Sequence, residues 1–297
     1  MSDRITVTTE GGVADVRLNR PEKMNALDPG MFAALVDTAD ALAADPSLRC
    51  VVLSGEGRAF CAGLDFSSFQ GMADDVDPIG GDEAADDDVD PVGDSNAFGA
   101  GSDSAPTAGR SLAEADDGRI THRGQQAVYG WTTLPVPVIA AVHGHALGGG
   151  AQLALGADIR IFAPETKFSI LEIRWGLIPD MTGTQALVDL VGLDIAKELT
   201  FTGRMVSGDE AGELGLCTHV TDEPRTHALE MAHDIAGKSP DAIRAAKRLF
   251  NDAPNASVAD GFANERAEIS QLIGSANQVE QITAFFEKRK PNFIDPD

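Results

Sequence analysis

The run Val142-His143-Gly144-His145-Ala146-Leu147-Gly148-Gly149-Gly150-Ala151-Gln152 constrains this chain more than any other. It follows a short apolar run, Pro137 to Val142, that reads as a buried strand, and it leads into a small-residue helix from about Gly149 to Leu155. A strand that turns through glycines into a helix exposes amides of partial positive charge where a ligand can approach a backbone without Cβ atoms. A second glycine turn, Arg58-Ala59-Phe60-Cys61-Ala62-Gly63-Leu64-Asp65, follows the apolar run Arg49 to Leu53. Two such turns facing one another would hold a developing oxyanion. The G-x-G-x-x-G spacing of a dinucleotide fold is not met, and no acidic residue stands at the end of a second strand to take a ribose.

The remaining pattern is of the α/β class. Ile5 to Thr9 and Val13 to Leu18 read as a strand pair across Gly11 and Gly12, and Met31 to Leu42 has apolar residues at helical spacing. Ile159 to Ala163 and Lys167 to Ile170 continue the strands. From Thr184 onward the pattern turns helical: Thr184 to Val191, Asp194 to Phe201, Asp209 to Leu214, Ala228 to Ala236, Asp241 to Asn251 and one long helix from Gly261 to Phe286, with Leu216 to Val220 as a strand. We therefore expect an α/β core over residues 1–200 and a helical C-terminal region over 201–297. No internal repeat of fixed period is visible.

Charge narrows the partners. The 297 residues carry 23 basic and 47 acidic side chains, a formal charge of −24. Nucleic acid and anionic lipid are thereby poor partners, since both need Lys and Arg against phosphate. Of that charge, −13 falls between Met72 and Gly118, a Gly-, Ser-, Pro- and Ala-containing stretch too poor in large apolar residues to offset the entropy of ordering it. A flexible acidic surface insertion is expected there. Three cysteines, Cys50, Cys61 and Cys217, form no paired framework, and the most apolar stretch, Leu134 to Val142, is far short of the roughly 20 residues of a membrane span. The expectation is a soluble cytoplasmic protein.

Several chemistries fail on spacing. Gly237-Lys238-Ser239 lacks the leading glycine of a phosphate loop, whose place is taken by Ala232. No G-x-S-x-G elbow and no H-E-x-x-H occurs, and the six histidines do not cluster with cysteine, so no metal site is expected.

Four blocks in order carry a resemblance: Asn19-Arg20-Pro21-Glu22-Lys23-Met24-Asn25-Ala26-Leu27, then Phe60 to Asp65, then Pro137 to Gly144 leading into Gly148-Gly149-Gly150, then Gly176-Leu177-Ile178-Pro179. Together they resemble the crotonase (enoyl-CoA hydratase/isomerase) superfamily, over nearly the whole chain apart from the acidic stretch. The resemblance implies a spiral of ββα units with C-terminal helices that build a homotrimer or a dimer of trimers. It implies a coenzyme A thioester as substrate and no cofactor. It assigns an oxyanion hole to the backbone N–H groups of Leu64 and Gly149, flanked by Ala62, Gly63, Asp65 and Gly148. Lys23, Ala26 and Leu27 would line the path of CoA, with Lys23 as a phosphate contact.

Two acid-base positions of hydratases have diverged. The first is Gln152, where a water-adding relative has glutamate, and an amide exchanges no proton at neutral pH. The second is Glu172, beside Leu171 on the substrate path, matching the glutamate that isomerases keep as their principal base. Asp180 resembles an aspartate of dienoyl-CoA isomerases, and as an N-cap for a helix near Thr182 it has a second explanation. Glu172 is thus expected as the general acid/base, with Asp180 assisting and Gln152 hydrogen-bonding substrate or water. A single glutamate favours moving a double bond over adding water; hydration at the same site, acyl-CoA binding without turnover, and a nicotinamide or flavin oxidoreductase are the competing readings. Trp131, Trp175 and Phe66 are candidates for the acyl pocket or for the core.

Overall fold

The structure is a computed structural model that describes residues 3–65, 115 and 118–296. Phe66 and the acidic stretch, apart from its Ala115 and Gly118, lie outside the described residues. The main sheet has six strands in the order β1 (Ile5–Glu10), β2 (Val13–Leu18), β3 (Cys50–Gly55), β4 (Val138–Val142), β6 (Ile159–Phe162) and β8 (His219–Val220). Among the described residues of this sheet, β1 and β2 pair antiparallel through the Gly11-Gly12 turn and the other pairings are parallel. Parallel strands are covered on both faces and read as continuous apolar runs. β3 and β4, Cys50-Val51-Val52-Leu53 and Val138-Ile139-Ala140-Ala141-Val142, are buried throughout.

A second, smaller sheet explains the winding. β5 (His145–Leu147) pairs parallel with β7 (Lys167–Ser169), Cys61 bridges to Ala146, and Leu27 bridges to Leu64. Each turn of the chain therefore gives one long strand to the main sheet, one short extended piece to the small sheet, and then a helix: α1 (Pro29–Ala43), α2 (Arg123–Thr132) and α3 (Gly149–Leu155). This is the expected spiral of ββα units. The repeat lies in the backbone path, which is why no sequence period betrays it.

The core has two sides. Met31, Phe32, Leu35, Phe60, Trp131, Phe162 and Phe168 belong to the larger cluster between the sheet and the α1 to α3 side. Val13, Cys50, Val52, Ile139, Ala141 and Ile161 form the other, closed by Ala228 and Ala232 of α7 (Pro224–Ala236). So β8 and α7, both beyond residue 200, complete the α/β core, and a boundary at 200 does not separate sheet from helices. The other helices are α4 (Gly183–Val191), α5 (Leu193–Thr202), α6 (Gly208–Leu214), α8 (Pro240–Asp252), α9 (Val258–Leu272) and α10 (Ala276–Glu287).

Two expectations on elements need correction, and one helix lies outside the sequence pattern. The single helix from Gly261 to Phe286 is two, because Gly274 takes a left-handed φ of 81° and Ser275 caps a new start by accepting from the N–H of Gln278. The strand expected over Leu216 to Val220 is only His219–Val220. α2 has no counterpart in the sequence pattern; its start is marked by His122, whose Nδ1 accepts from Gly124 and Gln125 while Gln125 returns a bond to the backbone of His122. That is a capping box with histidine in place of the usual hydroxyl or carboxylate. No helix among the described residues is long and apolar enough to cross a membrane.

Candidate active site

The turn Arg20 to Leu27 is the first wall. A one-turn 3-10 helix, Pro21–Lys23, leads into Met24 and Asn25, both at left-handed φ (51° and 57°). Asparagine tolerates that conformation better than most residues. Asn25 is fully buried and satisfied: its Oδ1 accepts from the N–H of Arg20 (2.8 Å), and its Nδ2 donates to the carbonyls of Glu56 (2.9 Å) and Ala59 (2.8 Å). Sequence reasoning gave Asn25 no role, although the Met-Asn pair in the motif was its signal. Ala26 and Leu27 are buried behind the turn, with Leu27 in the larger core cluster.

The second wall is Phe60 to Asp65, laced to its neighbours by backbone bonds. Cys61 donates to His145, Leu147 donates to Cys61, Leu27 donates to Gly63 (2.7 Å) and Asp65 donates to Leu27 (2.9 Å). Gly63 stands at φ 90°, and a Cβ there would come within 2.6 Å of the Leu147 carbonyl oxygen, so only glycine fits. Asp65, expected on the substrate path, is instead buried and ion-paired with Arg20, whose guanidinium also donates to the Ala26 carbonyl. Its carboxylate ties the first wall to the second. Ala62 is half-buried beside it.

α3 supplies the third wall. Gly148 (φ 51°, ψ −121°) precedes the helix in a conformation that disfavours side chains, and its N–H donates to Ser169 (2.9 Å). A Cβ on Gly149 would meet Leu27 Cδ1 at 2.8 Å and the Met181 sulfur at 3.0 Å, and one on Gly150 would clash with the Cys61 carbonyl. The position of a Cβ on Gly63 lies 3.7 Å from the Gly149 nitrogen, so the two glycine turns adjoin. Neither the Leu64 nor the Gly149 N–H finds an acceptor among the described residues. Two neighbouring free amides are the donor set an oxyanion needs.

Glu172 opens a short 3-10 turn, Glu172–Trp175, after the half-buried Leu171. Glu172 is 8% exposed; its Oε1 accepts from Gln152 Nε2 at 2.6 Å, while Oε2 is buried with no hydrogen-bond partner among the described residues. Both oxygens lie within 4.0 Å of where Gly148 would carry a Cβ, at the entry of α3. Burial pushes its carboxyl above the usual carboxylate range and Asp180 adds to the rise, against the opposing pull of nearby backbone N–H groups and the Gln152 amide. The alternative of a surface pair with Arg174 fails, since Glu172 is buried with Oε1 on Gln152 and Oε2 on no partner.

Asp180 reaches solvent at the turn before α4, yet the protein around its carboxyl displaces enough water to push its pKa up, with His122 acting in the opposite sense. Its expected capping role falls to another residue. The N-cap of α4 is Thr182 at φ 72°, without a side-chain cap, and the N–H groups of Met181 (2.8 Å) and Gly183 (3.0 Å) donate to Gln152 Oε1. Gln152 is fully buried, with its oxygen and one of its two amide hydrogens bonded to protein partners. Trp131 is core, Trp175 is partly exposed, and Phe66 lies outside the described residues. No cluster of three or more metal-ligating side chains occurs among the described residues.

The spiral of ββα turns is the fold of crotonase-superfamily structures. The chain belongs to the enoyl-CoA hydratase/isomerase family, whose model matches residues 8–80 and 92–296. It is similar to the human mitochondrial methylglutaconyl-CoA hydratase, 30% identical over 95% of this chain and 74% of that protein. The human mitochondrial enoyl-CoA hydratase domain-containing protein 2 is also 30% identical, over 95% of this chain and 86% of its own length. Among solved structures, an enoyl-CoA hydratase from Bacillus anthracis superposes with a TM-score of 0.80 at 28% identity, covering 98% of both chains.

Proposed function

We propose that this protein shifts the double bond of an enoyl-CoA thioester through an enolate held by the Leu64 and Gly149 N–H groups, with Glu172 as the acid/base. The observation that carries this reading is the buried, unpartnered Oε2 of Glu172 beside Gly148. From a 3-enoyl thioester, Oε2 takes a proton from C2, the electron pair moves onto the thioester oxygen, and the two amides stabilise that charge. Collapse of the dienolate then takes a proton from the same carboxyl, exchangeable with solvent, at C4, leaving the double bond between C2 and C3. Lys23, Ala26 and Leu27 line the CoA path, Ala62, Gly63, Gly148 and Leu171 surround the thioester, and Asp180 assists at the far end of the acyl chain. No cofactor enters the scheme.

Gln152 supports this direction over hydration, because an amide exchanges no proton and its oxygen already accepts from Met181 and Gly183, so it supplies no second base to activate a water. Addition of water is the second reading, favoured by the names of the relatives, which say hydratase. Supplying 3-enoyl-CoA and trans-2-enoyl-CoA separately in deuterated solvent, with products read by mass, separates them. Migration with label at C2 or C4 supports the isomerase; a 3-hydroxyacyl product supports the hydratase. Tight binding with neither product nor label across a panel of chain lengths would leave only an acyl-CoA binder.

A further inference from the structure

The Gln152 amide joins three elements at one point: α3, which carries it, the 3-10 turn of Glu172, and the turn Asp180 to Gly183 that opens α4. Its orientation is not ambiguous. Two backbone N–H groups, of Met181 and Gly183, converge on one end, which must therefore be the carbonyl oxygen; the other end must be the NH2 that meets Glu172. The fit is close. A Cβ on Gly183 would come within 2.7 Å of Gln152 Oε1 and 2.8 Å of its Cγ, so glycine at 183 makes room for this side chain. Thr182 between the two donors is held at φ 72°, a conformation that β-branched residues avoid.

We propose that Gln152 is a positioning residue that reserves Oε1 of Glu172 as a permanent acceptor, so that Oε2 alone carries the transferable proton, and that it clamps the Asp180 turn against the same carboxylate. An amide NH2 only donates, so Oε1 keeps an acceptor's role in both protonation states of Glu172; a proton on Oε1 would compete with that bond, whereas Oε2 has no partner among the described residues, which favours the proton there. Proton removal and return then use one oxygen at one position, as a suprafacial shift along an acyl chain requires. The charged group facing this carboxylate is Asp180, and His122 in turn faces Asp180. This assignment rests on the enolate reading for its catalytic meaning, but its geometric part holds without substrate.

The test uses Gln152→Glu and Gln152→Met in the full-length protein. Glutamate keeps an oxygen for Met181 and Gly183 but sets a second carboxylate against Oε1, where two charges cannot coexist and the pair shares a proton. Methionine keeps the length and removes every hydrogen bond. First, carboxyl titration of Glu172 is followed by carbon NMR without ligand. The midpoint moves up in both variants, and an unmoved midpoint overturns the proposal whatever the enzyme's reaction. Second, deuterium exchange at C2 of 3-hexenoyl-CoA is followed against pH. The Met variant loses about 10- to 100-fold in kcat, as displaced catalytic groups do, with KM changed less than about threefold; the Glu variant moves the acid limb upward. A loss confined to KM, or unchanged kcat and pH profile in both variants, also overturns it. If the Met variant does not fold, the Glu variant, which retains the turn's acceptor, decides both readouts. Absence of exchange in the wild type refutes the enolate reading instead, leaving the NMR result to judge Gln152.

Discussion

Glu172 occupies a place where a charge is costly. Its folded-state pKa lies above the ordinary glutamate value, so the folded protein holds this proton more tightly than the unfolded chain does. The stability it contributes is therefore present at low pH and is lost as pH rises through the folded pKa. Glu172→Gln removes that cost while preserving the Gln152 contact at Oε1. We predict that this variant has a melting temperature at pH 8 equal to or above that of the wild type, and that deuterium exchange into C2 falls by about 10² to 10⁴, the usual share of a general base. In the wild type, exchange should lose rate on acidification at a pH above the roughly 4.3 of a free glutamate, since only the ionised form accepts a proton. A pH profile of kcat/KM checks this directly. The sequence singles out Glu172 and Asp180 but does not disclose the protein partners of Gln152. Those partners depend on Thr182 adopting a left-handed turn, which no local pattern announces.

The elements around the site are built for close approach. Gly63 and Gly150 let α3, the small sheet and the Phe60 to Asp65 turn come together with backbones nearly in contact, while Gly148 and Gly149 make room for the side chains of Glu172, Leu27 and Met181. Gly63→Ala would place a methyl group against the Leu147 carbonyl at a φ of 90°. We expect it to displace the Leu64 N–H and lower kcat by about a hundredfold or more, the effect of losing one oxyanion donor. Asn25→Ala belongs to the same level: it strips partners from the Arg20 N–H and the Glu56 and Ala59 carbonyls, for a loss of roughly 2 to 4 kcal/mol. Urea denaturation measures it. Both glycine turns and most strands were legible because glycine and buried apolar runs are local signals. β5 was not, since three residues of a strand exist only through pairing with β7, and the gap between α9 and α10 hides in one glycine. The Arg20 to Asp65 ion pair joins positions 45 residues apart, so chain order gave no hint that Asp65 pairs with Arg20.

At the scale of the whole molecule, α9 and α10 carry apolar side chains that no described residue covers. α9 has no buried residue, and Phe262, Ile269, Ile273, Val279, Ile282, Phe285 and Phe286 are all about half exposed or more. The helices are nonetheless anchored. Asn277 is buried and bonds to Asp241 of α8 and to both backbone groups of Ile294, while Arg49 pairs with Asp295. Arg248 of α8 reaches Glu268 of α9 with two bonds. A docked element that leaves seven large apolar residues to water is made to be covered by another surface. Each such side chain contributes roughly 1.5 to 3 kcal/mol when fully buried, so the set is comparable to the roughly 4 to 15 kcal/mol that association costs. We propose that copies of this chain cover it, in the trimer or pair of trimers that the family resemblance implies. Light scattering on the eluting protein should then give three or six times the chain mass. Paired Phe262→Asp and Phe285→Asp substitutions, placed on α9 and α10 away from the Asn277 anchor, should reduce that mass to a single chain while leaving the helical circular dichroism in place. A monomeric wild type, or a mass unchanged by both aspartates, would assign these helices some other cover.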